Sequence, residues 1–309
     1  MNFLQICNRV KQNCGISGSD MTNVTGQVGE FLSITNWVNE AWMDIQAMRQ
    51  DWDWMRKSIA FPTVAHQVNY TTSQIGITDF GKWDRNTFRN YANPVVTMTI
   101  ANPGVITLAG NLLSAGDGVI FYTTGALPTG ITPGLTYYVV SPTTDTFQVS
   151  TIVGGSPVVT SGSQSGTHTI TSTNTLAYAG FRSEIFMTYT DYDAFRNAYL
   201  YGALRQTATR PIELTITPDK SLSFGPIADA GYTIVGDYYS TPSEMSANTD
   251  TPSLPSKFHL AIVYKAMVAY GLYEAAAEQI QRGQTEYEKW MRRILADQNK
   301  EVLSGGALA

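Results

Sequence analysis

The run Pro133-Gly-Leu-Thr-Tyr-Tyr-Val-Val140 decides how this chain divides. Pro133-Gly134 sets a turn, and the β-branched and aromatic residues after it read as a strand. The pattern recurs nearby. Val105-Ile-Thr-Leu108 is a second such run, and Asn102-Pro-Gly104, Ala115-Gly-Asp-Gly118 and Leu127-Pro-Thr-Gly130 are turn signals. The chain carries 20 Lys and Arg and 25 Asp and Glu, yet only Asp117 and Asp145 lie between Pro94 and Thr173. This predicts an inserted all-β sandwich or barrel domain over 94–173. Its Val, Ile and aromatic residues can form a core, so low charge is no sign of disorder here. Ser161-Gly-Ser-Gln-Ser-Gly166 reads as a flexible loop near the exit.

Outside the insert the order is helix, sheet, helix. Residues 2–13 make a short amphipathic helix on Phe3, Leu4, Cys7 and Val10. A longer helix spans 29–53. Its apolar positions Phe31, Ile34, Val38, Ala41, Ile45 and Met48 fall on one face. Trp37 and Trp42 flank that stripe. Strands are expected at 57–64, 67–72, 183–190, 212–217, 220–225 and 231–240. Asp191 reads as the N-cap of a short helix holding Phe195 and Tyr199. Residues 256–301 read as helical, broken near Gly271 or Gly283. Glu278/Arg282 and Glu288/Arg292 are spaced for ion pairs. Residues 302–309 read as a flexible tail. The expected fold class is α+β: a discontinuous helical body with a small antiparallel sheet (1–93 and 174–301), plus the inserted domain.

The 309 residues are 43% hydrophobic, enough to bury a core without disulfides or metal. A net charge of −5 argues against gripping nucleic acid by charge. The N-terminus lacks the apolar run of a signal peptide, and no 18-residue apolar run predicts a membrane span. Cys7 and Cys14 read as reduced thiols. His66, His168 and His259 fall in separate elements, and no nucleophile elbow, zinc, P-loop or dinucleotide motif is present. Asp51/Asp53 and Asp191/Asp193 are spaced for a metal but end or begin helices. No enzyme activity, catalytic residue, metal or cofactor is expected. The crowded tryptophans favour a core or a subunit interface. The partner-interface candidates are Trp37, Trp42, Tyr287, Trp290, Arg292, Arg293, Leu303 and Leu308.

Three segments carry a resemblance. The first runs from Phe3-Leu-Gln5 through Cys14-Gly-Ile-Ser-Gly18, Thr25-Gly-Gln-Val-Gly-Glu30 and Trp37-Val-Asn-Glu-Ala-Trp42 to Asp51-Trp-Asp-Trp54. The second is Tyr189-Thr-Asp-Tyr-Asp-Ala-Phe-Arg196 with Gly231-Tyr-Thr-Ile-Val-Gly-Asp-Tyr-Tyr239. The third is Asp250-Thr-Pro-Ser-Leu-Pro255 with Phe258-His259 and the long helix. Their order resembles the head-to-tail adaptors of tailed bacteriophages, the group with the tail tubular protein A of T7-like phages. The insert, through Thr123-Thr-Gly-Ala-Leu-Pro-Thr-Gly-Ile131 and Thr146-Phe-Gln-Val-Ser150, resembles a β module of phage virion proteins. The resemblance implies a dodecameric ring at the head–tail junction of the virion, assembled in the host cytoplasm. Its partners would be other copies, the portal protein, a tail or nozzle protein, and DNA passing the lumen without sequence-specific binding. No membrane partner is expected. The alternative is a receptor- or glycan-binding virion protein acting through the insert.

Overall fold

In a computed structural model, which describes residues 1–172 and 184–298, the first helix opens on a capping box. α1 (Phe3–Cys14) starts where the Asn2 side chain accepts from the Gln5 N–H at 2.9 Å and Gln5 Oε1 accepts from the Asn2 N–H at 3.0 Å. Gly15, at φ 72°, closes it. α2 (Glu30–Ala47) buries Ile34, Val38, Ala41, Trp42 and Ile45. The expected continuation to residue 53 does not form. Arg49 turns to pair with Asp51 at 2.9 Å, and Trp52 folds back under the helix. Its indole N–H donates to the Ile45 and Gln46 carbonyls at 3.0 and 3.2 Å, groups that a helix C-terminus leaves without partners.

Strands follow. β1 is Arg56–Pro62, β2 Asn69–Tyr70 and β3 Phe80–Ala92. Next come β4 (Val95–Met98), β5 (Ile106–Thr107), β6 (Gly118–Thr123), β7 (Thr136–Val140), β8 (Thr146–Ser150) and β9 (His168–Ser172), which close into a barrel in the order β4-β5-β8-β7-β6-β9. Closure leaves no open sheet edge. Val119, Phe121, Tyr137, Val139, Phe147 and Ile170 fill the barrel. The single strand expected at 183–190 is two: β10 (Ile185–Phe186) pairs with β3, and β11 (Thr188–Tyr189) runs parallel to β12 (Glu213–Ile216). Residue 183 lies outside the described residues. α3 (Tyr192–Phe195) begins after Asp191, whose side chain makes no cap bond. β13 (Leu222–Gly225) and β14 (Tyr232–Ser240) complete two four-stranded sheets, β1-β14-β3-β10 and β11-β12-β13-β2.

The last region is a helical hairpin. α4 (Leu260–Tyr273) and α5 (Ala277–Gln298) are separated by Glu274–Ala276, with Ala275 at φ 53°. The break is at neither expected glycine. Gly271 and Gly283 instead let the helices touch. A Cβ on Gly283 would sit 3.1 Å from the Tyr264 carbonyl oxygen and 2.9 Å from Val268. One on Gly271 would sit 2.9 Å from the Ile280 nitrogen.

The fold-class expectation is therefore corrected. Among the described residues the chain is mostly β by element: three sheets, one a closed six-stranded barrel, with five α-helices, and not a helical body with one small sheet. The principal omission was β3, thirteen residues long. Its buried Trp83, Phe88 and Tyr91 are interleaved with Lys82, Asp84, Arg85 and Arg89, and this hides the strand period. The Ser161–Gly166 segment is also corrected. Ser161 bonds Thr129 in both directions, Ser165 bonds Ala126, and Gln164 Nε2 donates to the Met98 carbonyl at 2.7 Å.

By its contacts the chain forms two units. The first comprises 1–57, 79–83 and residues from 238 onward; the second comprises 58–78 and 84–237, including the barrel strands. In the first, α4 is apolar around most of its girth and packs α1, α2 and α5 about it.

Candidate interaction surface

The partner-interface candidates among the described residues stand on α2 and the α4–α5 hairpin. Carboxamides pin the loops around these elements. Asn39 Nδ2 donates to the Met245 carbonyl at 3.0 Å and its oxygen accepts from the Met245 N–H at 3.1 Å. Gln46, two turns on and buried, does the same with Ser243 at 3.0 and 3.1 Å. Asn8 clasps Met21 at 2.9 and 2.8 Å. Each clasp satisfies a donor and an acceptor that an irregular segment would otherwise leave unpaired.

Trp37 is half-buried on α2. Its ring meets Tyr273 at 5.4 Å and Tyr270 at 6.0 Å, the latter edge-on. Trp42 is 2% exposed and belongs to the core. Tyr287, half-buried, donates its hydroxyl to Met48 Sδ at 3.5 Å and lies under the Lys265 ammonium at 5.2 Å. Trp290 carries the Arg293 guanidinium over its ring at 4.8 Å, and its indole N–H is buried without a partner. Arg292 is exposed and, among the described residues, reaches only the Glu288 backbone oxygen, at 3.4 Å. The expected Glu278/Arg282 and Glu288/Arg292 ion pairs do not form among the described residues; Lys289 pairs with Glu286 at 3.0 Å instead. Leu303 and Leu308 lie outside the described residues. The structure thus brings Trp37 together with Tyr270 and Tyr273, which were not among the interface candidates read from the sequence. The signal was the apolar end of α4, Leu272-Tyr273, where the chain turns charged.

The groups screened for chemistry lie apart. His66 is exposed in a turn at φ 63°. His168 bonds Thr123 Oγ1 at 2.8 Å inside the barrel, and burial lowers its pKa. His259 is buried; its Nε2 bonds the Leu254 carbonyl at 2.9 Å and its Nδ1 faces the Met1 ammonium at 2.7 Å. Burial pushes the Cys7 and Cys14 thiols up to about 12, far from the thiolate that reacts. Asp51 is bonded to Arg49, which holds its carboxyl below the usual range. Among the described residues no three His, Cys, Asp or Glu side chains gather closely enough to hold a metal. None of their helices is long and apolar enough to cross a membrane. A groove of about 530 Å³ runs beside α1, but most of its polar side chains are already bonded: Gln12 to Asp20, Asn8 to Met21, Lys257 to Asp297.

Residues 168–307 match the family model described as SU10 adaptor protein. No curated protein matches the chain. The family match covers less than half of the sequence. It supports an adaptor-type phage protein, structural rather than catalytic, that associates with other virion proteins. It does not support the narrower tail tubular protein A group.

Proposed function

We propose that this chain is a structural adaptor of a tailed-phage virion. Copies form a ring, a dodecamer, between the portal vertex and the tail or nozzle, and DNA passes through without sequence-specific contacts. The observation that carries this reading is the adaptor family match over 168–307, which takes in β14 and the α4–α5 hairpin. The exposed Arg292 and Arg293 of α5, the half-buried Trp290 beside them, and the segment holding Leu303 and Leu308 are assigned to neighbours and portal. Cryo-electron microscopy of the virion tests it: density for this chain is expected as a ring below the portal. Density at a capsid face or fibre tip overturns the reading. Deleting 299–309 is expected to reduce co-sedimentation with portal rings while leaving the melting curve unchanged.

A second reading assigns glycan binding to the barrel. One observation favours it. A cleft of about 300 Å³ opens beside β4, and the Gln164 side-chain oxygen is buried there without a donor. A glycan array probed with the full chain is the test, and a blank array removes the reading.

A further inference from the structure

Three aromatic rings at one corner of the first unit stand beside two carboxylates. Glu30 and Trp37 are seven residues apart on α2 and share a face. Tyr270, Tyr273 and Glu274 share a face where α4 ends. The rings of Trp37 and Tyr273 lie 5.4 Å apart. Tyr273 is 69% exposed and Leu272 66%. Glu30 and Glu274 are both exposed, and both act electrostatically on Tyr270. Elsewhere the chain caps exposed rings with its own cations: Arg89 over Phe186 and Arg196 over Tyr201. Among the described residues no cation is placed over this corner. Arg282 acts on the nearby Cys14 but sits over none of the three rings.

Aromatic faces ringed by carboxylate attract a guanidinium twice, by the ring quadrupole and by charge. The chain displays such a group far from this corner. Arg292 is exposed near the other end of α5, and among the described residues it bonds only to its own helix backbone. Fifteen residues of α5 separate Ala277 from Arg292, about 22 Å at about 1.5 Å per residue. Donor and acceptor are therefore two different places on one molecule.

We propose that this corner receives Arg292 of a second copy of the chain. A contact between two different patches is heterologous, and repeated head to tail it closes a ring when the rotation allows. The inference rests on the ring reading above and names the contact that would build it.

The test uses the full chain. Leu272→Cys and Ala296→Cys, both exposed and beside the two contact positions, are introduced together so that Tyr273 and Arg292 stay in place. Ala296 lies beyond Arg292 on α5, more than about 22 Å from the start of that helix and too far for a disulfide, which needs Cα atoms within about 7 Å, so any bridge joins copies. The native thiols are buried. Mild oxidation is expected to give a ladder of covalent oligomers, and neither single variant is expected to give more than a dimer. In parallel, light scattering follows charge reversal. Arg292→Glu alone and Glu274→Arg alone are expected to abolish species above the monomer, and the two together to restore them. Unchanged circular dichroism melting shows that the variants are folded. Wild-type rings that survive Arg292→Glu, with no ladder, overturn this contact and leave the ring reading standing. A wild-type chain that stays monomeric at every concentration, both alone and with portal rings, overturns both.

Discussion

At the residue scale, carboxamides and one imidazole hold much of what the elements leave loose. Asn111 is buried in the barrel, where its Nδ2 lies 3.0–3.1 Å from the carbonyls of Leu108, Thr143 and Thr144. Asn111→Ala strands those acceptors and should destabilise the barrel by about 1–3 kcal/mol, read as a lower urea midpoint. An unchanged midpoint would mean that water replaces the amide at no loss. His259 links stability to pH. Burial holds its pKa below the ordinary 6.5, so the folded state prefers neutral imidazole and the unfolded chain takes up the proton first. Its contribution is complete above pH 6.5 and is lost as pH falls through the depressed folded value. Burial shifts His168 in the same direction. The urea midpoint should therefore drop from pH 7.5 to about 5.5, and His259→Gln together with His168→Gln should flatten that drop. None of these roles was legible in the sequence. Asn39 and Gln46 read as polar positions on a helix, and their partners at 245 and 243 lie about two hundred residues away.

At the element scale, the helices were legible and their ends were not. Periodicity marks α1, α2 and α5 because one face of each is apolar. α2 stops early because Trp52 returns to cap it, an interaction between the helix and the turn that follows. Trp52→Phe keeps the ring and removes the donor, and should cost about 1–3 kcal/mol. The measurement is the chemical-denaturation midpoint, and the same loss from a Trp52→Leu variant would assign it to packing instead. Gly271 and Gly283 looked like helix breakers. They act as contact points, because two backbones approach too closely for a Cβ. Gly283→Val should destabilise the α4–α5 hairpin by about 1–3 kcal/mol through overpacking. A gain in stability, as helix propensity alone would give, would show that the crossing relaxes freely. In β3, Phe88 needs the space that Gly236 on β14 leaves: a Cβ there would lie 2.6 Å from the ring. That pairing joins positions far apart in sequence, and no local pattern announces it.

At the scale of the whole molecule, the barrel has its own core and no open edge. Residues 94–173 expressed alone should therefore give a dispersed amide spectrum and a cooperative melt; a random-coil spectrum would show that the barrel needs the surrounding sheets. The full chain should form rings, alone or on the portal. Composition and periodicity by themselves determined that a charge-poor β segment lies in the middle of the chain and that helices stand at both ends. They could do so because both signals are local: turn residues, strand formers and one-sided apolar faces need only near neighbours. Tertiary structure alone decided that six strands close into a barrel, that two further sheets outweigh the helical ends, and that Trp37 meets Tyr270 and Tyr273 beside Glu30 and Glu274. Those outcomes depend on partners tens to hundreds of residues apart, and on which side chain reaches solvent once its neighbours are buried.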